Sequence, residues 1–492
     1  MRTAKKIIYI LAAGMLFSSC SKSFLNVDPE STINSDQLST SSAATLGLLK
    51  GVLATLRTAQ STGYAGHEDH GHKGVLSVLD LMGNDVVMDN LNWGGFNYNY
   101  TGRISTNSRS HFPWFTYYTQ IRNVNTIINK VDENTEDKQL KAIRGQAIAL
   151  RGYFHFMLAR IYGPTYVGHT SELSIPISAK ELSSKRNTTE EVYAQIVSDL
   201  RKGIEELEGY TRPNKEMIDK QVAQSFLADV YLEMGNYKEA AIQARAARQG
   251  YALLDKAGWQ NGFYEISQNE TMWGADLNPE LTTYIATFFG LYDNTNDDGY
   301  SSGGNISIDR RLYESIPATD YRKEMYAGSE GQEFTAPNAK GAPVTTKYGP
   351  FISFKFRDLT PGRTSGDYIY LRSALMYYVE AEALAKSGNE AGAKDVLFEI
   401  TSKRDPQYSK STKTGQALID EIILQKRIEL WGEGFAWFDL KRLKLGVIRN
   451  YPGTNHPGYG RFNIPVGDNR FLFMIPQAEV DANPDILPNN PQ

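Results

Sequence analysis

The stretch IDEIILQKRIELWGEGFAWFDLKRLKL, residues 419–445, decides how the rest of the chain is read. Ile419, Ile423, Leu430 and Phe438 recur at helical spacing, with Arg427, Trp431 and Gly434 on or beside the same face. The pattern predicts one long helix whose buried stripe carries charge. A buried arginine needs a partner, and Glu433 and Asp439 are the nearest acids; Asp439 and Arg442 also make an i,i+3 pair. Gly432 and Gly434 each cost a helix about 1 kcal/mol relative to alanine, which points to another backbone packing close by. No histidine, nucleophile or metal-ligand set accompanies these charges, so they read as groups that hold helices together.

Upstream, helical periodicity comes in pairs. An amphipathic helix over Thr40–Arg57, with Ser41 or Ser42 as N-cap, opens the packed chain. Trp114, Tyr117, Ile121 and Ile127 mark the next helix, and Ala142 to Leu158 another, closing at Tyr162-Gly163-Pro164. A second pair covers Thr189–Leu207 and Asp219–Met234. Residues 222–247 and the stretch from Tyr377 place small residues (Ala223, Ala228, Ala240; Ala381, Ala385, Ala391) where helices approach, with glycine turns at Gly235 and Gly388, and resemble tetratricopeptide repeats. The predicted fold is mostly α: a tetratricopeptide-like scaffold of about four helix pairs, with long loop-rich insertions containing short strands. Scaffold helices fall at about 110–250 and 367–446, and the insertions at about 60–109 and 251–366.

With 41% hydrophobic and 22% charged residues, the 492-residue chain has the composition of a folded body. Residues 1–19 read as a signal peptide: Arg2, Lys5 and Lys6 precede an apolar run from Ile7 to Phe17, too short to span a bilayer. Cys20 is the only cysteine, which excludes a disulfide framework. Cleavage before Cys20 removes those three basic residues and no acid, taking the net charge from -4 to -7 and arguing against nucleic-acid binding. Residues 20–39 read as a polar tether and 40–492 as a single domain.

Candidate binding residues lie in the insertions, where loops on a rigid scaffold carry recognition. In DNLNWGGFNYNY, residues 89–100, an extended backbone puts Phe96, Tyr98 and Tyr100 on one face. Such a face suits a sugar, with rings for its C–H surface and amides for its hydroxyls, and equally suits a strand with one buried side. The expected ligand-facing rings are Trp93, Tyr98, Tyr100, Tyr284, Tyr292 and Tyr300, with Asn84 and Asp85 as polar partners. No metal or cofactor is expected. His67, His70 and His72 fit no standard zinc spacing and read as solvated loop residues. The run 293–305, counted as a calcium loop from Asn294, has Gly299 at position six but Asn305 in place of the bidentate glutamate. Asp297, Asp298 and Glu270 make no identifiable hydrolytic pair, so no enzyme is expected.

The run KRIELWGEGFAWFDLKRL resembles the C-terminal signature of the SusD/RagB family of nutrient-capturing lipoproteins, apart from Ala436, where that family usually has arginine. LFSSC, residues 16–20, is similar to a lipobox with Phe17 in place of leucine, and Phe24, Leu25 and Pro29 match the family's opening. The ending also resembles the family's, with Ile475-Pro476, Glu479 and Asn483-Pro484, although it lacks the usual final glycine and aromatic. The resemblance implies lipidation at Cys20, an outer-membrane location facing the cell exterior, and capture of oligosaccharide or polysaccharide for a TonB-dependent, SusC-like barrel. Peptide capture, or a protein-interaction scaffold without small ligand, stands as the alternative.

Overall fold

The computed structural model describes residues 41–59, 66–177, 185–280, 286–363 and 365–492. Cys20, the tether and Tyr284 lie outside the described residues. The first helix, Ser42–Thr55, is capped by Ser41, whose side chain accepts from the Ala44 N–H. The long helices Ser108–Lys130 and Lys138–Tyr162 pack on each other, and the second packs on Thr189–Glu206. Asp137 caps one helix and a Thr188–Glu191 capping box the next, each supplying acceptors for otherwise orphaned N–H groups. The last two helices touch closely because a Cβ on Gly203 would come within 2.9 Å of Ala149.

Lys220–Glu233 and Tyr237–Ala247 form the next pair, turning at Gly235 with φ 74°. Helix Ser373–Lys386 then packs directly against 237–247, so the scaffold continues across the 251–366 excursion as if it were absent. Glu390–Arg404 and Gly415–Glu429 complete it. Among the described residues there are four two-stranded antiparallel sheets. Val86–Met88 pairs with Ile306–Ile308, joining the two insertions, while Thr271–Ala275 pairs with Tyr368–Arg372. In FISFKF, residues 351–356, residue types alternate, yet all six residues are buried.

The expected single helix over 419–445 is two helices, Gly415–Glu429 and Ala436–Arg442. Gly432 and Gly434 lie in the break with φ of 77° and 99°, a left-handed region that glycine enters without strain. Both broken ends are satisfied by side chains from elsewhere. Lys355 Nζ donates to the Glu429 and Trp431 carbonyls at 2.9 and 2.8 Å, while Asp80 accepts from the N–H groups of Gly434 and Ala436 at 2.8 and 3.3 Å. Arg427 does not pair with Glu433 or Asp439. It binds Asp85 through two bonds of 2.9 and 2.5 Å, and Asp439 pairs with Lys426 and, as expected, Arg442.

Behind the break lies a fully buried ionic cluster. Glu429 accepts from Arg322, Arg372 and Arg404, Glu270 pairs with Arg372 and Arg404, Glu433 with Arg372 and Lys355, and Asp320 with Arg322. Four cations balance four carboxylates, the condition under which charges can stay ionised away from water. The arginines hold the Glu429 carboxyl well below the usual carboxylate range against the opposing effect of burial. The members come from the ends of two scaffold helices, 390–404 and 415–429, from the break that follows the second, from the strands 271–275 and 368–372 or their margins, and from the excursion. The cluster therefore fixes the insertion on the scaffold.

Candidate functional site

Residues 89–100 are not extended. Gly95–Tyr98 forms one helical turn, which puts Tyr98 on the side opposite Phe96, and Tyr100 leaves that turn through a left-handed backbone. Tyr98 turns inward, its hydroxyl 2.6 Å from His456 Nδ1 and the Arg449 guanidinium 4.3 Å from its ring centre. Tyr100, held at φ 66°, donates to the Met82 carbonyl at 2.5 Å. Trp93 and Phe96 stay out, 41% and 44% exposed.

One buried arginine holds both exposed rings. Arg109, near the start of helix 108–130, sits 4.0 Å above the Phe96 ring centre and 5.9 Å from that of Trp93. It donates to the Trp93 carbonyl at 3.2 Å and to Glu68 at 2.6 Å. The His67 ring lies 4.8 Å from Trp93 and 5.5 Å from half-buried Tyr300, with its Nδ1 hydrogen-bonded to the Tyr300 hydroxyl. Gly66 is needed here, since a Cβ on it would come within 3.0 Å of the Trp93 ring. Trp93, Phe96, His67 and Tyr300 thus share one surface, drawn from both insertions.

Among the described residues, polar atoms without partners lie in the two segments that carry His67, Trp93 and Phe96. Glu68 Oε2, Asp89 Oδ2 and Asn92 Nδ2 are buried with no hydrogen-bond partner, an arrangement that costs about 1–3 kcal/mol per group unless something binds it. Burial pushes the Asp89 carboxyl up to about 6 and raises that of Glu68 despite Arg109. Rings with adjacent acceptors and a donor can stack on an apolar ring face and bond hydroxyl groups. Replacing Arg109 with lysine should loosen both rings, because an ammonium cannot stack on Phe96 while reaching Trp93 and Glu68. Circular dichroism of the aromatic bands should change, and the unfolding midpoint should fall to the extent that the lysine leaves the buried Glu68 carboxylate unpaired.

Several expected site residues lie elsewhere. Tyr98, Tyr100 and Tyr292 are buried, and the Tyr292 hydroxyl donates to the Ser77 carbonyl at 2.9 Å. Asn84 bridges the Gly446 carbonyl and the Ile448 N–H, and Asp85 is taken by Arg427. His70 and His72 are not solvated: both are buried, and His72 bonds the Tyr117 and Tyr153 hydroxyls at 2.8 and 3.0 Å. Asp293 pairs with Arg363, and Asn294 spans the backbone of Asn305, Ile306 and Ser353, which is structural work. Glu270 belongs to the ionic cluster. Arg109, Glu68 and His67 had no signal in the sequence, because only the fold brings them to Trp93.

The comparisons with known proteins agree across the chain. Residues 24–232 match a SusD-like family described as starch-binding and associating with the outer membrane, and residues 211–492 match the SusD family. The chain belongs to the SusD/RagB family. It is 25% identical over 419 residues to SusD-like protein P2 of Formosa agariphila, covering 77% of this chain and 79% of that one. A SusD-like protein of Bacteroides ovatus is 23% identical over 494 residues, covering 92% and 86%. Among solved structures, a SusD-like carbohydrate binding protein from Bacteroides vulgatus superposes with a TM-score of 0.78 at 23% identity, covering 92% of this chain and 98% of its own. A SusD superfamily protein from Bacteroides thetaiotaomicron gives 0.74 at 23% identity, covering 92% and 100%. At these identities the structural likeness establishes the SusD fold, with its helix-rich scaffold and few short strands. Among the described residues no helix is long and apolar enough to cross a membrane.

Proposed function

We propose that this SusD-family protein captures oligosaccharide or polysaccharide on the surface formed by Trp93, Phe96, His67 and Tyr300, and passes it to a TonB-dependent outer-membrane barrel. The observation that carries this reading is the pair of exposed rings clamped by buried Arg109, with unpartnered atoms of Glu68, Asp89 and Asn92 in the same two segments. Stacking and hydroxyl bonding are what a glycan needs, and the relatives include a solved carbohydrate binding protein. The site is one of capture, without a reaction. Its single domain of residues 40–492 would hang on the 20–39 tether from an acylated Cys20 in the outer membrane, facing the exterior, after removal of residues 1–19.

Calorimetric titration against neutral and acidic polysaccharides, their oligomers and mixed oligopeptides tests the reading. Saturable heat with a glycan supports it; heat with peptides alone, or with nothing, overturns it. Trp93→Ala with Phe96→Ala should weaken glycan binding by about 2 kcal/mol or more, roughly thirtyfold, with the unfolding midpoint unchanged, since both rings already face water. A large loss of stability would instead make them part of the core.

Binding should also depend on pH through Asp89. Its carboxyl, raised to about 6, is protonated at pH 5 and ionised at pH 7, and a carboxylate accepts sugar hydroxyls better than the acid does. Affinity should therefore rise between pH 5 and 7, and the profile should flatten in Asp89→Asn. A slope that persists in that variant would put the titrating group elsewhere.

A further inference from the structure

A second cleft, of about 830 Å³, opens between the first helix, the start of helix 138–162, the end of helix 189–206 and the loop that follows it. It shares no residue with the ring surface. Leu46, Ile143 and Met217 give it an aliphatic strip, flanked by Gln146 and the Tyr210 ring. Its rim carries Lys50, Lys138 and Lys141 together with Glu205, Glu206 and Glu208.

The rim charges do not cancel. Each acid already has a cation: Glu205 binds Lys202 at 3.0 Å, Glu206 pairs with Arg144, and Glu208 with Lys220. Among the described residues the three exposed lysines form no ion pair, so the mouth keeps a positive excess over the aliphatic strip. Among the described residues Tyr210 is the single aromatic ring in the lining, so stacking favours a polysaccharide less here than at the ring surface. The volume lies within the roughly 300–1,000 Å³ that encloses a small ligand.

We propose that this cleft binds an amphiphilic anion: one aliphatic chain lying on Leu46, Ile143 and Met217, with its carboxylate or phosphate head held by Lys50, Lys138 and Lys141. Both halves are required. The chain alone gains only the transfer of its methylenes from water, and the head alone meets three solvated lysines with little to fix it.

The test titrates the purified chain with dodecanoate and with dodecyl phosphate below their micelle thresholds, with dodecyltrimethylammonium and inorganic phosphate as controls. Saturable binding of both anions at one site, with either control at least roughly tenfold weaker, is the expected result. Lys50→Glu combined with Lys141→Glu should weaken the anions by about tenfold or more, since two charge-assisted contacts become repulsive. Both lysines are exposed, so the unfolding midpoint should hold. Equal binding of the cationic chain, equal binding of inorganic phosphate, no binding of either anion, or unchanged affinity in the double variant would each overturn the proposal. Glycan titration of the same samples should be unaffected, which keeps the two sites separable.

Discussion

Glu429→Gln is expected to be among the most destabilising single substitutions in this chain, costing on the order of 3–5 kcal/mol. Its carboxylate takes bonds from Arg322 at 3.0 Å, Arg372 at 3.1 Å, Arg404 at 3.1 Å and the Trp259 indole at 3.0 Å, with no exposure to water. A neutral amide removes one of four balancing charges and turns an NH2 group toward at least one of those donors. Three arginines are then held in the interior by Glu270, Glu433 and Asp320 alone. Denaturant unfolding followed by tryptophan fluorescence would measure the loss, with Glu314→Gln, which removes the exposed Arg310 pair, as a control expected to leave the midpoint unmoved.

The pH dependence of that loss has a definite sign. The folded carboxyl titrates well below its unfolded value, so its stabilisation is fully present above about 4.3 and disappears as the pH falls toward the depressed folded value. The gap between parent and variant should therefore be widest near neutrality and shrink in acid. A gap constant from pH 7 to pH 3 would mean that the glutamine acts through packing rather than charge.

The same cluster shows where sequence reading stops. The amphipathic helices were legible because their caps and apolar stripes are local: Ser41, Asp137, Thr188 and Asp219 all cap where the sequence changes character. The break at Leu430–Phe435 was not, because Ile419, Ile423, Leu430 and Phe438 keep a helical period across it. What ends the helix is Lys355, and what restarts it is Asp80, 74 and 354 positions away from the groups they bind. Arg427 was correctly seen to need an acid, but Asp85 lies 342 positions earlier. At the ring surface the error was one of period. Reading 89–100 as a strand grouped Phe96 with Tyr98 and Tyr100, whereas a helical turn parts Phe96 from Tyr98 and a left-handed residue just after it turns Tyr100 inward.

Gly434→Ala should cost about 3 kcal/mol or more, because two penalties coincide. At φ 99° an alanine is strained by its own Cβ, and that Cβ would lie 2.5 Å from Leu76 Cβ and 2.9 Å from its Cα. Leu76 is buried in the middle of helix Gly71–Met82, so neither backbone can withdraw without disturbing Asp80, which caps the restarting helix from that same element. Gly415 separates the two penalties. It has φ 56°, but nothing lies within 4 Å of its missing Cβ, so Gly415→Ala should show conformational strain alone, about 1 kcal/mol. If the two variants proved equally stable, the close approach to Leu76 would contribute nothing, and the glycine would be required only for its turn. If Gly434→Ala is much the worse, the break in the signature is a packing joint. The scaffold's last helices then dock on helix 71–82 through this glycine, and because residues 86–88 follow that helix directly, the joint also sets where the ring surface stands.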